Sequence, residues 1–212
     1  MNTVEICNLA LNMLGMPSVV DLDDDSNSSR LCQRFYPVCR DRVLRDHLWS
    51  FAAAAVELQA LDEYSPIPAL PYVCNLPGDL LRVDKVLSGQ PYRLFKDKIL
   101  LQSLPDTLLY VRKVENPEEF DVTFVEALQF ALAAELAMVA TADLNRVNYC
   151  RQECQQRLAA ARSIDSAENL HAFQLPPNKS NWLDFRMGGV GNDGVIGAPV
   201  KYVKPELGLQ GE

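Results

Sequence analysis

The stretch "ALQFALAAELAMVA", Ala127 to Ala140, constrains this chain most. Only Gln129 and Glu135 are polar in it. A helix that is apolar almost all round has no solvent face and must be buried on several sides. The surrounding segment 118–142 is long enough to cross a bilayer. Glu126, Gln129 and Glu135 argue against that, because an ionised group at mid-bilayer costs several kcal/mol. The expectation is a central buried helix, one side of which is open to a subunit interface.

The elements available to cover it are readable. Residues 3–14 repeat Val4, Cys7, Leu11 and Leu14 at helical spacing, and Gly15 with Pro17 ends the run. A second helix is predicted over about 27–48, with the stripe Cys32, Tyr36, Cys39 and Val43, an arginine-rich remainder, and Pro37 expected to kink or split it. Asp25 or Ser26 caps it, and the neighbouring acids sit at its positive end. A last amphipathic helix over 143–165 carries Val147, Cys150, Cys154, Leu158 and Ala161 on one face. Residues 51–60, "FAAAAVELQA", are ambiguous: alanine favours helix, but Pro66, Pro68, Pro71 and Pro77 forbid a long one.

Between these helices the pattern changes. "YVCNLP", "LLRVDKVL", "YRLF", "KILLQ" and "TLLYVRKV" are short, β-rich and broken by Gly or Pro. The turns fall at "GQP", 89–91, and "LPD", 104–106. The fold predicted is mainly α: a helical bundle core from 1–61 and 115–170, a small inserted antiparallel β subdomain at 62–114, and an extended C-terminal arm at 171–212. Seven of the ten glycines lie between 188 and 211. Its stranded apolar residues mark it as a segment that docks onto something.

Candidate chemistry is sparse. Asp46, His47 and Ser50 cluster in "LRDHLWSFAAAAVEL", but adjacent helical residues point about 100° apart, so Asp46 is badly placed to orient His47. "GVGNDG", 189–194, matches a dinucleotide fingerprint but lacks the strand before it and the helix after it. "DLDDDSNSSRLC" imitates a calcium loop but has Ser26 at the sixth position and Cys32 at the twelfth. The six cysteines include no CxxC pair and read as buried reduced thiols, not zinc ligands. Glu126 and Glu135 lie nine residues apart, on opposite faces of one helix, and do not form a glycosidase pair. No catalytic, cofactor-binding or metal-binding residue is assigned.

Taken together, "EICNLALNMLG", "LDDDSNSSRLCQRFYPVCRDRVLRDHLWSFA", "FVEALQFALAAELA" and "AAARSIDSAEN" resemble the tail tubular protein A and head-to-tail adaptor family of short-tailed bacteriophages, over roughly residues 3–170. "RDRVL…HLWSFA" is the most specific part. The resemblance implies a non-enzymatic virion protein, assembled in the host cytoplasm, that forms a ring of twelve copies beneath the portal. Such a ring extends the DNA channel used in genome ejection and attaches the tail tube or nozzle. It also implies that the arm lies along the portal, which makes Trp182, Phe185, Arg186, Val195, Ile196 and Tyr202 the candidate portal contacts. The turn residues Ser88, Gly89, Gln90 and Ser103 are then the candidate contacts to the tail. Related adaptors have been suggested to degrade peptidoglycan, so a muramidase-like virion enzyme is the alternative. A helical scaffold unrelated to phage is a third reading.

The net charge of −8 fits the first reading. A wall rich in Lys and Arg would hold DNA at its phosphates, whereas an acidic wall lets it pass. The "DLDDD" run at 21–25, Glu57, Asp62 and Glu63 are candidates for the channel wall. Arg34, Arg40, Arg42 and Arg45 are expected at subunit or portal contacts.

Overall fold

The structure, a computed structural model, describes residues 1–140 and 143–172. Helix α1 (Thr3–Met13) starts in a reciprocal capping box: the Asn2 side chain accepts from the Glu5 N–H, and the Glu5 carboxylate accepts from the Asn2 N–H, both at 2.8 Å. It ends at Gly15, whose φ of 69° suits glycine. Helix α2 (Asn27–Asp46) is capped by Ser26, whose Oγ accepts from the Ser29 N–H at 3.1 Å. It runs through Pro37 without a break. Cys32, Tyr36, Cys39 and Val43 are buried on both sides of that proline, and their packing offsets the roughly 3 kcal/mol that proline costs inside a helix.

Helix α3 (Val122–Ala140) follows a short 3-10 turn at Pro117–Glu119 and packs against α1, α2 and α4 (Leu144–Ala172). It is long and apolar enough to cross a membrane, yet its inner face lies in the helical core. Its two acids point opposite ways, as their spacing requires. Glu135 meets Arg42 of α2 at 2.8 Å, and Glu126 meets Arg157 of α4 at 3.1 Å. Trp49, Phe51, Phe120 and Phe124 stack around the start of α3, with ring centroids 4.9–6.2 Å apart. Trp49 is buried and donates its Nε1–H to the Val43 carbonyl.

Six strands form two antiparallel sheets. The first has the order β1 (Ala53–Leu58), β6 (Asp106–Arg112), β3 (Leu80–Val86); the second has β2 (Tyr72–Asn75), β5 (Lys98–Leu101), β4 (Tyr92–Phe95). Alternation along the strands builds a shared core. Leu58, Cys74, Val86, Ile99, Leu101, Leu108 and Tyr110 cluster between the sheets. On the far side of the second sheet, Val73 and Leu100 pack under Leu61, Ile67 and Leu70. Arg45 and Arg82 tie the end of α2 to β3 through the Leu81 and Asp46 carbonyls.

The fold class is therefore corrected. Among the described residues helix makes up 47% and strand 20%, with four helices and two three-stranded sheets, so this is a mixed α/β fold and not a mainly α bundle. The difference begins at "AAAVEL". Its alanines favour helix in isolation, but Ala53, Ala54 and Ala55 pair with Val111, Tyr110 and Leu109 of β6, and tertiary pairing overrides propensity. Sheet structure thus starts at residue 53, and six strands join in two layers around cores of their own. The chain divides into a unit at Met1–Phe173 and a second at Gln174–Glu212, which lies outside the described residues.

Candidate functional site

The end of α2 and the segment after it place three polar side chains, Asp46, His47 and Ser50, within five residues, and α4 supplies a partner for each. Arg162, Asp165 and Asn169 share one face of α4 by their spacing. Arg162 pairs with Asp46. Asp165 lies 2.9 Å from His47 Nε2 through Oδ2, and its Oδ1 accepts from the Ser50 N–H at 2.9 Å and from the Ser50 hydroxyl. Asn169 donates to Ser50 Oγ and to Asp165 at 3.3 Å.

Asp46, His47 and Ser50 are thus brought to one place, but not as a nucleophile with its base. The serine hydroxyl gives its hydrogen to Asp165, and the imidazole meets the other oxygen of that carboxylate. In an activated serine the imidazole stands between the two. Here the carboxylate does, so the arrangement is a clasp between α4 and the helix-to-sheet junction.

A cleft of about 230 Å³ beside the clasp is lined by Trp49, Phe51, Phe120, Glu119, Asp121 and Glu168, among others. Aromatics and acids together raise the question of a sugar site. Glycoside hydrolysis needs one carboxyl held above its ordinary pKa as the acid. Asp121 moves the other way. Burial pushes it up, but the Thr123 hydroxyl and the N–H groups of Thr123, Phe124 and Val122 together hold it below the usual carboxylate range. Glu119 pairs with Arg112, and Asp165 is held in the clasp. Among the described residues no group of three or more His, Cys, Asp and Glu stands together as metal ligands.

The candidate tail-facing residues form a second polar knot. Ser88, Gly89 and Gln90 lie in the β3–β4 connection, and Ser103 in the β5–β6 connection. The Gln90 side-chain carbonyl accepts from the Ser103 N–H at 2.8 Å, and its amide donates to the Ser103 carbonyl at 2.9 Å. Both turns hang on Asp106, which sequence reasoning missed. Its carboxylate accepts from the Ser88 hydroxyl and N–H, the Gln90 amide and the Thr107 N–H. Burial raises the Asp106 pKa, but these donors outweigh it and hold the carboxyl below the usual range. Gly89, at φ 73°, and Ser88 and Ser103 remain exposed at the tip. The result is a rigid, preformed surface whose polar groups are largely satisfied by one another.

No family model matches the chain, and no curated protein matches it. Trp182, Phe185, Arg186, Val195, Ile196 and Tyr202, expected at the portal, lie outside the described residues. Of the arginines expected at subunit or portal contacts, three are engaged within the chain. Arg40 is buried and pairs with Asp41 at 2.8 Å, Arg42 holds Glu135, and Arg45 holds the Leu81 carbonyl. Arg34 is exposed and lies over the Phe35 ring. The acids of the 21–25 run are exposed, as are Glu57, Asp62 and Glu63.

Proposed function

We propose that this chain is a structural virion protein, a head-to-tail adaptor. Copies of it form a ring below the portal, extend the DNA channel and attach the tail. The observation that carries the reading is a helical and β core braced by polar clasps, beside apolar surface left uncovered. Met138 and Val139 at the end of α3 are 51% and 56% exposed and Val122 at its start 72%, while β4 exposes Leu94 and Phe95. We read these exposed apolar residues as contacts with other chains. The polar clusters meanwhile stitch elements together, Asp165 joining α4 to the helix-to-sheet junction and Asp106 joining two turns. An adaptor needs stiffness and interfaces and does no chemistry. The acidic balance suits a channel that DNA traverses without sequence-specific binding.

The test is assembly onto portal rings of the same phage. The full chain mixed with purified portal should sediment with it at a fixed stoichiometry. A protein that never cosediments with portal, at any concentration, would overturn the reading. Clearing of cell-wall suspensions by the purified chain would favour the lytic alternative.

A further inference from the structure

Two apolar features of opposite shape lie on different parts of the chain, one carrying Arg93 and Lys96 with Asp97 at its end, the other rimmed by Glu118 and Glu126. The first is convex. Every residue from 91 to 97 is exposed, including the whole of β4. This strand is an edge of its sheet, paired only with β5. The other edge, β2, is closed by Leu61, whose N–H donates to the Val73 carbonyl at 2.7 Å, and by the Ala60–Cys74 bridge. Edge β3 carries two register irregularities, a common protection of sheet edges. Strand β4 has neither device. By register Arg93 and Phe95 share its outer face with Leu100 and Lys98. At the tip, Lys96 takes a φ of 56°, a conformation rare for a residue with a side chain, and holds its ammonium 5.9 Å from the Phe95 ring.

The second feature is concave. A groove of about 400 Å³ runs between α1, the 3-10 turn and α3, lined by Met1, Leu9, Phe120, Val122, Val125 and Gln129. Met1 and Val122 are more than half exposed. Its polar rim is acidic: Glu118 and Glu126. Glu126 is shared with Arg157, whereas Glu118 has no ion-pair partner among the described residues. Arg93 and Lys96 likewise have no ion-pair partner among the described residues.

We infer that the β4–β5 hairpin of one copy seats in the α1/α3 groove of the next copy. Phe95 fills the apolar floor, and Arg93 and Lys96 meet Glu118 at the rim. The groove is large enough for an aromatic side chain with its neighbours. Matched opposite charges set register and exclude the hairpin's own patch as partner. The contact is heterologous, joining two different surfaces, so it propagates copy to copy and closes into a ring when the rotation permits. This inference rests on the reading that the chain assembles with itself.

The experiment is mass photometry on the full chain and on two surface variants, Phe95→Asp and Val122→Arg, each checked for folding by circular dichroism. The wild type is expected to form a closed oligomer of discrete mass, and each variant alone to be a monomer. Mixing the two variants leaves one intact hairpin and one intact groove per pair, so the mixture should give dimers and nothing larger. Arg93→Glu with Glu118→Arg in one chain should restore assembly that either change weakens. If a variant fails to fold, Lys96→Glu on the exposed turn replaces Phe95→Asp. A wild type that assembles while both variants assemble equally well overturns this contact alone. A wild type that stays monomeric at all concentrations overturns the assembly reading with it.

Discussion

His47 Nε2 lies 2.9 Å from Asp165 Oδ2, across 118 residues of sequence, while the other oxygen of that carboxylate takes the Ser50 N–H at 2.9 Å. One buried side chain on α4 thereby fixes the point where the helical core passes into the sheet. Asp165→Ala strands the Ser50 N–H and removes the histidine's partner. It should lower the free energy of unfolding by about 2 kcal/mol, in the range for a buried group left unpaired. Asp165→Asn keeps an acceptor oxygen and should lose less. Urea midpoints of the three proteins read this directly, and wild-type midpoints in both variants would contradict the clasp.

Asp106 should make the two β turns acid-sensitive. Its folded pKa lies below the unfolded value of about 3.9. The stability it contributes is therefore fully present above the unfolded value and is lost as pH falls through the folded one. The protection of the Ser88 and Thr107 amides, taken relative to the exchange rate of an unfolded chain at the same pH, should fall below about pH 4. In Asp106→Asn it should be lower at neutral pH and nearly indifferent to that acid step. Equal pH profiles in both proteins would show that other groups govern the turns.

Cys7, Cys32 and Cys39, in the helical core, should be inert in the native protein. Cys39 is buried against α3, and burial is the main reason its thiol is pushed up to about 12. All three thiols of this part of the core, Cys7, Cys32 and Cys39, are closed off from solvent, so Ellman's reagent should reach them only as fast as the chain opens. Labelling should accelerate with urea in step with unfolding. Immediate labelling of Cys39 in native buffer would contradict the packing of α2 on α3.

Trp49 should be the costliest single truncation. It packs edge-on to Phe124 and stacks with Phe51, and it is 1% exposed. Trp49→Ala should destabilise by about 3–5 kcal/mol, as expected for a large aromatic removed from a core. A loss under about 1 kcal/mol, no more than an Ile-to-Val change typically costs, would mean the junction is loosely packed.

The helices were legible because their signals are local. Gly15, Ser26 and the Cys32–Val43 stripe each specify an end or a face within a few residues. The turns at 88–91 and 103–106 were legible for the same reason. What escaped depended on distance in sequence. "AAAVEL" becomes a strand because β6, some fifty residues later, pairs with it. His47 and Ser50 find their partner on the last helix. Asp106 differs from any other acid only because two turns converge on it. The spacing of Arg162, Asp165 and Asn169 along one face of α4 was the visible clue to the clasp, but nothing in the sequence said which segment that face would meet.

The central claim is that the chain is one subunit of a closed assembly, and the mass of the purified full-length protein in solution tests it most directly. Mass photometry across a range of concentrations should give one discrete oligomer, near the twelve copies the phage adaptors suggest, with no larger species as concentration rises. A protein that remains a 23.7 kDa monomer throughout, or one that grows without limit, would contradict the account.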